Sequence, residues 1–225
     1  MVMKVAIVQE WLVTVGGSDK VVKAILDVFP NADIYTLVAK KDVCDELGIP
    51  WEKVHTSFIQ KMPLGTTKHR AYLPLFPFAI EQFDLRGYDV VISSSHCVAK
   101  GILTKADQLH ICYCHSPIRY CWDMYNEYLE ESHLDKGFKS WLVRLMLHPI
   151  RQFDAIAGSR VDYYISNSDY VGQRIRKTYR RKATTIHPNI DISNFELCND
   201  KQDYYLASSR LVAYKKIDNP LAELI

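Results

Sequence analysis

The stretch HICYCHSPIRYCWDMY, from His110 to Tyr125, gathers three cysteines, an inner histidine, an arginine and several aromatics. Two chemistries fit such a set. One is a metal site built on Cys112, Cys114, His115 and Cys121; the other is a substrate pocket at the end of a buried strand. Structural zinc sites usually draw Cys-x-x-Cys pairs from turns and take a second pair from elsewhere, and neither feature is present here. Cys112 and Cys114 flank Tyr113 in a strand-like run, so both sulfurs should share one face as buried thiols. His115 stands at the strand's exit, two residues before Pro117. There it is either an ordinary satisfied histidine or a ligand for a sugar hydroxyl, since imidazole donates or accepts near neutral pH. Arg119, Tyr120, Trp122 and Asp123 add a bidentate donor, ring faces and a carboxylate acceptor, the groups used to recognise carbohydrate or phosphate.

Three other sets could do chemistry. Gly16 and Gly17 allow a tight turn, and the helix after them would aim free N–H groups and its dipole at an anion such as a phosphate. The pair matches neither the dinucleotide fingerprint nor the P-loop pattern, and an ordinary turn is the plain alternative. Arg210, Lys215 and Lys216 follow the last apolar run and could neutralise a diphosphate leaving group, or simply decorate the surface. The run RIRKTYRRK carries six bases and no acid: Arg174, Arg176, Lys177, Arg180, Arg181 and Lys182. Such a run is either a solvated helix end or an attractant for anionic lipid.

These residues need a scaffold, and the apolar pattern supplies one. KVAIV, from Lys4 to Val8, reads as a strand. GGSDKVVKAILDVF follows as a helix, with Val21, Ala24, Ile25, Val28 and Phe29 at helical spacing, Ser18 as the expected N-cap and Pro30 as the stop. ADIYTLV, YDVVISS, LHICYC, VDYYISNS and KATTIHP read as further strands. Continuous apolar runs separated by helical stretches predict a parallel sheet covered on both faces, a doubly wound Rossmann-like α/β domain. In such sheets ligands bind beyond the carboxyl ends of the strands, where Gly16 and Gly17, SSSHC (93–97), CHSPIR (114–119), SNSD (166–169, with Asn167) and HPNID (187–191) all fall. KMPLGTTKHRAYLPLFPFAIEQFDL is broken by three prolines and reads as a core helix with an irregular entry.

Composition narrows the function classes. With 225 residues and 48% hydrophobic content the chain can bury a sizeable core. A net charge of +2 gives no dominant basic field for nucleic acid. Six cysteines scattered through apolar stretches read as reduced thiols of a cytoplasmic protein. The N-terminus is a poor signal peptide, and no run approaches the roughly 20 apolar residues of a membrane span. The expected location is cytoplasmic, with at most peripheral association on the inner face of the membrane.

Taken together and in order, KVAIVQEWL with GGSDKVV, GYDVVISSSHCVAKG, CYCHSPIRYCWD, ISNSDYVGQRIRKTY, HPNID and YYLASSRLVAYKKID resemble the retaining glycosyltransferases of family four. Those enzymes have the GT-B fold, two Rossmann-like domains facing a cleft. Within the family the chain is most similar to mannosyltransferases of bacterial O-antigen and surface-polysaccharide assembly. That resemblance implies GDP-mannose as nucleotide-sugar donor, a lipid-linked or glycan acceptor, and no metal cofactor. It matches Gly16 and Gly17 to a glycine loop near the donor phosphates, His115 to the histidine that contacts the transferred sugar, and Arg119 to the adjoining cleft segment. Arg210 and Lys215 match the pair that holds the nucleotide diphosphate, with Lys216 the alternative lysine. It also settles the opening stretch as a substrate pocket.

Three departures stand out: QEW in place of His-Asp-Trp, GGSD in place of Gly-Gly-x-Glu, and Ala213 in place of proline. The expected organisation is an acceptor-side domain over 1–190, a linker over 191–202 and the start of a donor domain over 203–225. Such a chain should be inactive alone. The competing readings are a noncatalytic nucleotide- or glycan-binding module, an inactive truncated gene product, and an NAD-type enzyme, which the missing glycine fingerprint disfavours.

Overall fold

A computed structural model describes residues 3–190, 192, 195–200 and 203. Its centre is a seven-stranded, all-parallel sheet: β1 (Val5–Leu12), β2 (Asp33–Ala39), β3 (Val54–Thr56), β4 (Val90–Ser95), β5 (Leu109–Cys114), β6 (Tyr163–Ser166) and β7 (Ala183–Thr185). The strand order is β3-β2-β1-β4-β5-β6-β7. The chain therefore winds outward one way from β1 and, after crossing over, the other way from β4, the doubly wound pattern expected from the apolar runs. Six helices cover it: α1 (Gly17–Val28), α2 (Lys41–Glu46), α3 (Phe76–Glu81), α4 (Tyr125–Glu131), α5 (Gly137–Ser159) and α6 (Asp169–Tyr179).

Alternation along the strands divides the core between the two faces. Ala6 and Val8 of β1 join Phe76, Ile80, Ile102, Leu147 and Ile150 on the α3–α5 side. Val5, Ile7 and Leu12 join Val22, Leu26 and Val43 beneath α1 and α2. The broken proline-rich run supplies α3 preceded by a 3-10 segment, His69–Leu75, as its prolines require.

Two boundaries differ from the sequence reading. β1 runs on through Gln9 and Glu10 to Leu12, because both polar side chains are fully buried with partners inside the fold. The cap of α1 is Gly16, not Ser18. The Asp19 carboxylate accepts the Gly16 amide at 2.9 Å, which starts the helix earlier than Ser18 would. The edge strand β3 escaped the apolar pattern because it is only three residues long. The expected donor-domain strand, with Arg210, Lys215 and Lys216, lies outside the described residues, as does part of the 191–202 linker.

One polar cluster fastens the α5–α6 layer to the sheet. Lys100 is ion-paired with Asp154 of α5, and both side chains are buried. Asp154 Oδ2 also accepts from Trp122 Nε1 at 2.6 Å and from the Tyr179 hydroxyl at 2.9 Å, while Lys100 Nζ donates to the Cys97 carbonyl at 2.8 Å. Burial alone would lower the Lys100 pKa; the Asp154 carboxylate outweighs it and holds the value above that of an ordinary lysine. Removing one partner strands the other's charge, so Asp154→Ala should destabilise the fold by about 3–5 kcal/mol in equilibrium denaturant unfolding.

Candidate functional site

β1 and β4 are neighbours at the point where the winding reverses, and their carboxyl ends, with that of β5, mark where the ligand crevice of such a sheet lies. Glu10 lies at its base, fully buried. Its Oε1 accepts four donors from the β4 exit: Ser95 Oγ at 2.9 Å and the amides of His96, Cys97 and Ala99 at 3.0, 2.8 and 3.1 Å. Its Oε2 lies 3.1 Å from His96 Nδ1. Burial pushes the carboxyl upward in pKa, but His96 and the surrounding amides outweigh it and hold it down at about 2. The carboxylate is therefore ionised, and it wraps the loop after β4 around itself so that His96 stands over the crevice. The His96 side chain keeps 31% of its surface exposed and meets Trp11 edge-on at 4.8 Å.

His115 borders the same crevice from β5. Its Nε2 is 2.9 Å from Ser94 Oγ and its ring centroid 6.4 Å from that of His96. Its amide donates to the Ser95 carbonyl and its own carbonyl accepts Asn167 Nδ2 at 3.2 Å, so Asn167 braces the β5 exit against that of β6. Burial, reinforced by His96, holds the imidazole at about 4 against a weaker pull from Glu10. His115 is neutral at pH 7, a hydrogen-bonding group rather than a charge.

Gly16 closes the crevice at the start of α1. Its φ of −138° is ordinary extended backbone, so the residue is not needed for an unusual turn. A Cβ there would lie 3.2 Å from Asp19 Oδ2, crowding the carboxylate that caps the helix, whereas one on Gly17 would meet nothing within 4 Å. Asp19 also accepts Gln9 Nε2 at 3.1 Å, and burial raises its carboxyl to about 6 against those two bonds.

The other expected cleft residues are placed differently. Tyr120 packs against the core with its hydroxyl 3.3 Å from Cys97 Sγ. Trp122 gives its indole N–H to Asp154, and Asp123 is paired with Arg174. Their polar atoms are thus used within the fold. Arg119 lies in a short 3-10 turn, Arg119–Cys121, beside them. In the basic run, Arg174 is bound to Asp123 and Ser116, Arg181 donates to the Asp162 carbonyl, and Arg180 caps α6 in the left-handed region, while Arg176, Lys177 and Lys182 are exposed.

The cysteines do not converge with the histidine. Cys112 and Cys114 pack with Tyr164 and Tyr179, whereas His115 sits against Tyr113 at 5.2 Å. Among the described residues, no three His, Cys, Asp or Glu side chains come together as a metal site would require. Nor is any described helix long and apolar enough to cross a membrane.

Sequence reasoning missed the Glu10–His96 pair. SSSHC was visible as a strand end and QEW only as a departure after the first strand, and only the β1–β4 adjacency unites them. A buried carboxylate, a partly exposed imidazole, a neutral imidazole and an indole face suit a ligand rich in hydroxyls.

Neither a protein-family model nor a curated protein matches the chain. Among solved structures it is similar to Alr3699/HepE from Anabaena in complex with UDP, at 12% identity and a TM-score of 0.48, over 84% of this chain and 45% of that one. The same protein in complex with UDP-glucose gives 13% identity and 0.46, over 84% and 44%. A candidate UDP-N-acetylglucosamine 2-epimerase from Listeria monocytogenes gives 11% identity and 0.43, over 82% and 44%. The chain thus spans less than half the length of these structures.

Glu10 also predicts a pH signature. A carboxyl held near 2 when folded and at 4.5 when free stabilises the fold above pH 4.5, and this stabilisation is lost as pH falls toward 2. Glu10→Gln should therefore cost on the order of 3 kcal/mol at pH 7, with the difference from the unchanged protein shrinking below pH 4.5 in denaturant titrations.

Proposed function

We propose that this chain is the acceptor-side part of a nucleotide-sugar glycosyltransferase of GT-B architecture, similar to family four. The observation that carries this reading is the crevice at the β1/β4 winding reversal, where Glu10–His96, His115, Trp11 and the start of α1 present polar and ring groups suited to a sugar. The ordered motif set gives it further support. In this reading the donor is GDP-mannose and the acceptor a lipid-linked or surface-polysaccharide glycan. An acceptor hydroxyl attacks the anomeric carbon, the bond from that carbon to the diphosphate oxygen breaks, and configuration is retained. The hydroxyl proton is released and the nucleoside diphosphate departs.

His115, neutral and anchored by Ser94, would hydrogen-bond the transferred sugar. Gly16 and Gly17 would bring α1 near the phosphates. Arg210 with Lys215 or Lys216 would stabilise the leaving diphosphate, with no metal needed. Residues 203–225 would open the donor domain. The enzyme would be cytoplasmic and peripheral to the membrane, with exposed Arg176, Lys177 and Lys182 facing anionic lipid.

The test is sugar transfer from a panel of nucleotide sugars to a lipid-linked acceptor, followed by chromatography, using the longest natural form of the protein that contains this segment. GDP-mannose should be turned over, and His115→Ala should lower kcat about 100-fold while the fold persists. The 225-residue chain alone should transfer nothing measurable, because diphosphate stabilisation needs both walls of the cleft. Donor binding without turnover in the longest form would replace this reading with that of a binding module.

A further inference from the structure

Beside the crevice, at the carboxyl ends of β1 and β2, lies a second hollow of about 510 Å³. The backbone at its rim is tightly determined. Leu64 takes a positive φ of 54°, and its carbonyl accepts the amides of Thr67 and Lys68 at 3.1 and 2.7 Å. Gly65 has no room for a side chain, since a Cβ would lie 2.1 Å from the Ile59 carbonyl oxygen. The turn therefore holds the residues that follow it, Thr66 to Arg70, along the hollow, which Thr14 and Lys40 also line.

The lining has one sign of charge. Lys40, Lys68 and Arg70 border the hollow, no Asp or Glu does, and none of the three cations is ion-paired among the described residues. Three unneutralised cations around one concavity focus a field that attracts anions. Thr14, Thr66 and Thr67 add hydroxyls. His69 also lines the hollow; it is only 6% exposed, with the Thr66 backbone near it, and neither ring nitrogen makes a hydrogen bond of good geometry. Buried polar atoms without partners are rare in folded proteins and point to unspent binding capacity.

We propose that this hollow binds a phosphate-class anion between Lys40, Lys68 and Arg70, with His69 beneath it. Trp11 contacts both places: its ring lies 4.9 Å from His69 and 5.9 Å from the Arg70 guanidinium, and 4.8 Å from His96 of the crevice. A phosphorylated ligand could therefore rest its anionic end here and reach the crevice with its remainder. The site stands whether or not the crevice transfers sugar. Two sources share the chemistry, a lipid phosphate or diphosphate and a free phosphate or pyrophosphate.

Isothermal titration of the 225-residue chain with inorganic pyrophosphate at low salt tests the proposal. Saturable binding is expected. Lys68→Ala should weaken it about tenfold and Lys68→Ala with Arg70→Ala about 100-fold, the usual scale for charge-assisted bonds. Lys68→Arg should retain it. Both side chains are exposed, so the melting temperature without ligand should not move. Farnesyl diphosphate in the same titration separates the sources: tighter binding than pyrophosphate, lost in the same double variant, assigns the site to a lipid carrier, and equal binding assigns it to free anions. No binding of either probe, or binding that the double variant leaves unchanged, overturns the proposal.

Discussion

A carboxylate sealed inside a protein has to be surrounded by donors, and in this molecule that requirement at Glu10 organises everything around the crevice. Ser95 and the amides of His96, Cys97 and Ala99 all turn toward one oxygen. The chain leaving β4 therefore cannot run straight on; it folds back over β1. This curl places His96 against Trp11 and near His115, and it leads into the 3-10 turn that carries Lys100 to Asp154. The base of the crevice and the anchoring of α5 thus share one short segment of backbone.

The buried carboxylates Glu10 and Asp154 play different parts. Glu10 is held ionised by His96 at the edge of the core and by backbone donors around its other oxygen. Lys100 and Asp154 neutralise each other, and Trp122 and Tyr179 use the remaining acceptor capacity of the carboxylate. Both arrangements satisfy the rule that a buried charge needs compensation. Their outcomes differ, because Glu10 is coupled to a half-exposed imidazole and Asp154 to groups that are largely enclosed. Only the former remains available for chemistry.

Electrostatics also separate the histidines. His115 is part-buried and neutral, His110 is held at about 4 by burial against the opposing pull of Asp162, and His69 is lowered by burial and by Arg70. His96 stands partly in solvent beside the buried Glu10 carboxylate. A crevice with two imidazoles side by side, one anchored by Ser94 and one by Glu10, can orient a ligand's hydroxyls from two directions.

Much of the architecture was legible in the residue order. LHICYC predicted β5 to the residue, and KVAIV, ADIYTLV and YDVVISS marked their strands, because a strand buried on both faces must be continuously apolar. The same rule hid the end of β1: the apolar run stops at Val8, and nothing local announces that Asp19 and the β4 loop will satisfy Gln9 and Glu10. His115 could be placed at a strand end from the sequence, and Asn167 likewise. The pairing of Glu10 with His96, the use of Trp122 by Asp154 and of Asp123 by Arg174, and the cationic hollow at Lys40, Lys68 and Arg70 could not. Those contacts join residues distant along the chain, 86 positions apart for Glu10 and His96. Local pattern determines which segments become strands and which helices; the order of strands in the sheet, set by packing of the whole chain, determines which side chains meet.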